Sequence, residues 1–189
     1  ATPTQGSILE IGSFKGRSTV GLAHVARHYG LGRVVAVDPH TSPSATDPNL
    51  RDAHTSYDDF RANIRRAGVE DTVDHHRTFS TELARDWDRP LRLLWIDGDH
   101  TYAGAKADLD AFRPWMVEGA IVAFHDALRD FGGPTRVFVE EVLRSDDFGP
   151  AGVVGSIAWA QYRAHDGKSP RFPDARRGRS RSPRIAKAI

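Results

Sequence analysis

Ile8-Leu9-Glu10-Ile11-Gly12-Ser13-Phe14-Lys15-Gly16-Arg17-Ser18-Thr19 decides the fold of this 189-residue chain. An apolar run ends in a glycine-rich turn, and a helical pattern follows. A buried parallel strand hands over to a helix in this way, leaving a ligand-sized gap above the strand's carboxyl end. Gly12 and Gly16 let the backbone turn tightly and approach a ligand, since neither carries a Cβ. Glu10 is a charge near the end of the strand and is expected to face a site rather than the core. The spacing is E-x-G-x-x-x-G. It lacks the close glycine pair of G-x-G-x-x-G, which brings a helix N-terminus to a pyrophosphate. Taken alone, the motif also fits a plain strand–turn–helix junction.

Outward from this stretch, strands and helices alternate. Leu22, Val25, Ala26 and Tyr29 recur at helical spacing, and Gly30 and Gly32 stop that helix. Arg33 to Val37 is a short β-branched strand ending at Asp38. Pro39 to His54 reads as a loop, long enough to favour a functional lid over a simple connection. Tyr57, Phe60 and Ile64 mark an amphipathic helix closed by Gly68. Val73 to His76 is a weak strand, and Thr81 to Trp87 a short helix. Leu91 to Ile96 is a strongly apolar strand ending at Asp97-Gly98-Asp99-His100. Tyr102, Ala105, Leu109 and Phe112 form a helical face broken at Pro114. Gly119 to Phe124 is a fifth strand ending at His125-Asp126. Pro134 fits the first turn of a helix to about Leu143. Val153-Val154 and Ile157 to Tyr162 form a closing hairpin around Gly155-Ser156. The pattern predicts an α/β protein, a doubly wound, mostly parallel Rossmann-like sheet with a C-terminal antiparallel hairpin.

The length suits one domain, residues 1–163, with a basic Arg/Ser/Pro-rich tail over 164–189. The tail carries eight Lys/Arg against two Asp/Glu, while the rest carries 18 against 23. The tail reads as a peripheral arm, or as one that packs on a partner subunit or acidic surface. The body gives no reason to bind nucleic acid. No apolar run is long enough to span a bilayer, so no membrane partner is expected. The chain opens almost directly on the first strand, as an excised domain or a natural short form would. There is no cysteine, which excludes disulfides and thiolate chemistry and fits a cytoplasmic setting.

The residues after the strands carry the chemistry. In an open α/β sheet, ligands sit above the carboxyl ends. Glu10 and Gly12 come from strand one, Asp38 from strand two, Asp97, Asp99 and His100 from strand four, and His125 and Asp126 from strand five. Asp38 is best read as the acid that holds a ribose diol with its two oxygens; the alternative is a helix cap or loop charge. Phe79 and Ser80 lie where an adenine could be sandwiched, although a core Phe is an equal reading. The carboxylates and imidazoles around Asp97 and Asp126 suit Mg²⁺, which would lower the pKa of a substrate hydroxyl. A neighbouring His could then accept its proton. Asp99 is expected to cap the following helix or support His100. His24, His28, His54, His75 and His76 show no converging partners and read as surface or core, with a small reserve for His40. Tyr102 and Trp115 read as core.

EIGSFKGRST, AVDPH, WIDGDHTYAGAKADLDAF, GAIVAFHD and VGSIAWAQY, in this order, resemble the class I S-adenosylmethionine-dependent methyltransferases of the methyltransferase domain 24 type. These are related to metal-dependent macrolide-sugar and aminocoumarin-sugar O-methyltransferases, and the resemblance covers about residues 7 to 162. It implies the class I methyltransferase fold and S-adenosylmethionine bound by Glu10, Gly12, Ser13, Gly16, Ser18, Asp38, Phe79, Ser80 and Asp97. It implies His100 as general base and Asp97 and Asp126 as metal ligands. His125 departs from the pattern, because the sugar enzymes carry an acid there. A nitrogen donor shifts the preference from Mg²⁺ toward Mn²⁺, Fe²⁺ or Zn²⁺, unless His125 only supports the site or acts as a base and no metal binds. The implied acceptor is a hydroxylated small molecule, such as a sugar of a natural product or glycolipid, and a homo-oligomer is allowed. An NAD-type oxidoreductase and a non-catalytic or hydrolytic relative remain as alternatives.

Overall fold

The computed structural model describes residues 4–41, 56–129 and 131–163. Most of the expected Pro39–His54 lid, Asp130 and the basic tail lie outside the described residues. Seven strands form one sheet in the order β3-β2-β1-β4-β5-β7-β6. These are β1 (Ser7–Ile11), β2 (Val34–Val37), β3 (Val73–His76), β4 (Leu91–Ile96), β5 (Met116–Phe124), β6 (Phe148–Val154) and β7 (Ile157–Tyr162). The first five are parallel. β7 runs antiparallel to both β5 and β6 and separates them, so the expected hairpin is present.

Both faces of the sheet are covered, which is why β2 reads as an unbroken VVAV with every residue buried. Ile8, Val34 and Ala36 pack under α1 (Arg17–Tyr29) and α2 (Tyr57–Arg66), against Ala23, Ala26, Phe60 and Ile64. Leu9, Ile11, Val35, Val37, Leu94 and Ile96 face the other way. That side is covered by α4 (Tyr102–Phe112) and α5 (Gly132–Val137), with Leu109, Phe112 and Phe138 completing the larger core. A short α3 (Ser80–Leu83) lies beside α4.

Several boundaries differ from the sequence expectation, each for a local reason. The buried face of α1 is Thr19, Ala23 and Ala26, whereas Val25 and Tyr29 are exposed. Small residues let the helix settle close on the sheet and turn the larger ones outward. Gly30, in the left-handed conformation, ends that helix by donating to Ala26 and Arg27 carbonyls. β5 begins at Met116, but a bulge containing Gly119 interrupts it. Regular pairing with β4 resumes at Ile121. The expected helix from Thr81 to Trp87 is α3 followed by a 3₁₀ turn. Trp87 falls beyond it, buried edge-on against Phe112. The helix after Pro134 widens into a π-helical stretch over Phe138–Leu143. Trp115 is 36% exposed rather than core. Tyr102 is half-buried, and its hydroxyl donates to Glu141 at 2.6 Å.

Candidate functional site

The sheet extends one residue past four of its strands. Gly12 donates to the Val37 carbonyl at 2.9 Å, Asp38 to His76 at 3.1 Å, Asp97 to Ile11 at 2.8 Å and His125 to Ile96 at 3.0 Å. Each candidate residue therefore starts from a fixed backbone at the carboxyl edge. The chain leaves β1 toward one face and β4 toward the other, so a crevice opens between these neighbours.

The glycine turn sits in that crevice. Gly12 has φ 85°, and a Cβ there would stand 2.2 Å from the Asp97 carbonyl oxygen. Gly16 donates back to the Ser13 carbonyl at 2.7 Å and has φ 83°. Asp38 then ties the turn to the next loop. Its Oδ2 accepts from the Phe14 N–H and its Oδ1 from the His40 N–H, both at 2.7 Å. Both donors adopt positive φ, 45° and 51°. A carboxylate has about four acceptor positions, so each Asp38 oxygen retains capacity for a ligand hydroxyl.

Glu10 has no solvent exposure at all and lies beneath the turn. Its Oε2 accepts from the Thr19 hydroxyl. Its Oε1 and the Ser13 hydroxyl are buried without a hydrogen-bond partner among the described residues. Burial pushes the carboxyl up to about 7, against the hydroxyls of Ser18 and Thr19, and with Asp97 adding to the rise. Such a group calls for a donor or cation. Phe79 is 55% exposed at the rim, and Ser80 hydrogen-bonds Asp108 on α4.

On the other side of the crevice, Asp97, His100 and Asp126 each bring one donor atom within 4.8 Å of the others. His100 Nε2 lies 3.6 Å from Asp97 and 3.8 Å from Asp126. Both ring nitrogens of His100 are buried without a hydrogen-bond partner among the described residues. The ring is held instead by stacking on Phe131, with centroids 4.2 Å apart and planes at 20°. His125 Nδ1 lies 3.1 Å from Asp97 and 3.4 Å from Asp126, and the Asp97 carboxylate raises its pKa. Two carboxylates and an imidazole with uncommitted nitrogens form a donor set that fits a divalent cation. Asp99 accepts from the backbone and hydroxyl of Thr101, which itself caps α4 by accepting from Gly104 at 3.0 Å. The helix cap is therefore Thr101 and not, as the sequence suggested, Asp99, which only braces it.

Three features are not visible in the sequence. Phe131 reaches His100 from the loop after β5. Asp108 meets Ser80 across 28 positions. His40, 1% exposed, bonds Ser56 at 2.7 Å through Nδ1 and His75 at 3.0 Å through Nε2. Burial lowers both imidazoles, His75 to about 4. Its place beside Asp38 marks only His40 in the sequence; His75, expected to have no converging partner, has one in His40.

A family model described as a methyltransferase domain matches residues 9–127. Among solved structures, the O-methyltransferase NovP superposes with a TM-score of 0.70 at 15% identity, over 84% of this chain and 72% of that one. The TDP-rhamnose 3'-O-methyltransferase of calicheamicin biosynthesis gives 0.59 at 22%, over 84% and 72%. An O-methyltransferase from Bacillus cereus, solved with S-adenosylhomocysteine, gives 0.58 at 22%, over 83% and 74%. At these identities the likeness is one of fold.

Proposed function

Since the chain belongs to the methyltransferase domain family and is an S-adenosylmethionine-dependent methyltransferase, we propose that it methylates a hydroxyl oxygen of a small molecule. The observation that carries this reading is the convergence of Asp97, His100 and Asp126 beside the crevice. A sugar hydroxyl of a natural product or glycolipid is the acceptor class. Two similar folds are named for such chemistry or for O-methylation generally.

In this reading Asp38 holds the ribose diol, and the Gly12–Gly16 turn admits the methionine portion. Glu10 lies beneath it as a buried carboxyl, negatively charged once pH rises through about 7. The acceptor hydroxyl enters from the Phe131 side. His100 Nε2 takes its proton, and the oxygen attacks the sulfonium methyl in line. The C–S bond breaks with its electron pair left on sulfur, giving the neutral thioether. A divalent cation held by Asp97 and Asp126, with His125 beside them, would lower the pKa of the acceptor hydroxyl. The protein's own contribution is chiefly to position two reactants and exclude water.

The test is transfer of a labelled methyl group to a panel of nucleotide sugars and glycosides. It is run with chelator, then with Mg²⁺ or Mn²⁺ restored. We expect label on oxygen, lost in chelator and in His100→Ala. Label on nitrogen, or transfer indifferent to both changes, would contradict the proposal.

A further inference from the structure

The His100 ring is held by no hydrogen bond among the described residues, since both of its nitrogens are buried without a partner. Its Nε2 stands 3.6 Å from Asp97 and 3.8 Å from Asp126, beyond hydrogen-bond reach. A side chain so placed is free to change rotamer unless packing stops it. The loop after β5 makes two contacts that do. Phe131 stacks on the ring, with centroids 4.2 Å apart and planes at 20°. Two positions on, Gly133 abuts the backbone of the same residue. A Cβ there would stand 2.1 Å from the His100 carbonyl oxygen and 2.5 Å from the Thr101 carbonyl carbon. The φ of Gly133 is not positive, so this glycine serves close approach rather than an unusual turn. Gly132, between the two, has open space where a Cβ would be. Thr135, 6% exposed, pins the loop by accepting from the Leu128 N–H at 2.8 Å and donating to the Phe131 carbonyl at 3.5 Å.

We propose that Phe131 and Gly133 act as one clamp on His100. Gly133 lets the start of α5 seat against the His100–Thr101 backbone, and Phe131, carried on that seat, fixes the plane of the imidazole. Nε2 then stays turned toward Asp97 and Asp126, where the acceptor hydroxyl arrives. Both are positioning residues, and the inference rests on the reading of His100 as the base. Phe131 has no group that could take or give a proton, so it acts on the reaction only by holding the base still. A base must come within about 3 Å of the atom whose proton it takes. A displacement of about 1 Å costs on the order of a hundredfold in rate. The Gly12–Gly16 turn and Asp38 lie on other loops, so loosening the clamp leaves the cosubstrate site as it was.

The experiment compares the full chain with Phe131→Leu, Phe131→Tyr, Gly133→Ala and Gly132→Ala at one fixed pH. Methyl transfer is measured on the panel of nucleotide sugars and glycosides, TDP-rhamnose first. The rate is expressed per S-adenosylhomocysteine-binding site counted by calorimetry, so misfolded protein does not enter it. Phe131→Leu and Gly133→Ala should each lower kcat at least about tenfold with S-adenosylhomocysteine affinity unchanged. Phe131→Tyr, which keeps the ring, and Gly132→Ala, which fills open space, should retain the wild-type kcat. The second readout is the proton resonances of the His100 ring, identified by their loss in His100→Gln. Stacking on Phe131 should shift them upfield in wild type and in Phe131→Tyr, and the shift should vanish in Phe131→Leu. A merely structural role would lower the number of binding sites and leave kcat per site intact. Phe131→Leu removes a half-buried ring and carries the test if Gly133→Ala does not fold. Retained kcat in Phe131→Leu overturns the proposal, as does an unshifted His100 ring in wild type. If wild-type protein methylates no member of the panel, the reading of His100 as the base falls and takes this inference with it.

Discussion

The α-carbon of Gly12 abuts the Asp97 peptide so closely that a Cβ would stand 2.2 Å from its carbonyl oxygen. The contact joins the first residue past β1 to the first past β4, at the point where the chain's path over the sheet reverses. Gly12→Ala meets two penalties there, the clash and a φ of 85°. We predict a loss of at least about 2 kcal/mol, together with loss of S-adenosylhomocysteine binding. Urea unfolding checks the first part; an unchanged midpoint would show that the contact relaxes freely.

Glu10 makes stability fall as pH rises. Its folded pKa, about 7, lies above the 4.5 of the exposed group. The folded state therefore keeps a proton that the unfolded chain releases. The stabilisation is complete below pH 4.5 and is lost as pH climbs through 7. The shift corresponds to something on the order of 3 kcal/mol. Glu10→Gln should melt higher than wild type at pH 8 and approach it near pH 5, while binding S-adenosylhomocysteine more weakly. Parallel melting curves across that range would rule the linkage out.

The His40–His75 contact has the opposite sign. Burial depresses both imidazoles below 6.5, His75 to about 4. Their contribution is present above pH 6.5 and is lost as pH falls toward 4. A 3.0 Å contact between two Nε2 atoms holds a single proton, so a second one breaks it. His75→Gln cannot be protonated and should lose less melting temperature than wild type between pH 7 and 5. An identical decline in both proteins would show that this pair does not carry the acid sensitivity.

The strands were legible because burial on both faces leaves no choice but apolar runs, as in Val34–Val37. The placement of the candidate residues at the carboxyl edge was legible because they follow those runs directly: Gly12, Asp38, Asp97 and His125. What stayed hidden depends on distances along the chain that no local pattern records. His75 finds His40 across 35 positions, and Asp108 finds Ser80 only once α3 and α4 lie side by side. The α1 face was misread for another reason. Hydrophobic size suggested Val25 and Tyr29, but close approach to the sheet favours Thr19, Ala23 and Ala26. The dinucleotide alternative ended with the family match over residues 9–127.

The cation site can be separated from the cosubstrate site. Asp126 lies in the acid–imidazole group but makes no contact with the glycine turn among the described hydrogen bonds and ion pairs. Asp126→Asn should weaken Mn²⁺ binding at least about tenfold and leave S-adenosylhomocysteine affinity unchanged. Mn²⁺ paramagnetic resonance reads the first and calorimetry the second. Undiminished Mn²⁺ binding in the variant would remove Asp126 from the ligand set.

The most direct test is calorimetric titration of S-adenosylhomocysteine into wild-type protein and into Asp38→Ala. Asp38 holds the turn and the β2 loop through the Phe14 and His40 amides and is assigned the ribose diol. Saturable binding by wild type, weakened at least about tenfold in Asp38→Ala, is the predicted result. No saturable binding by wild type, or equal affinity in the two proteins, would contradict the placement of S-adenosylmethionine in this crevice.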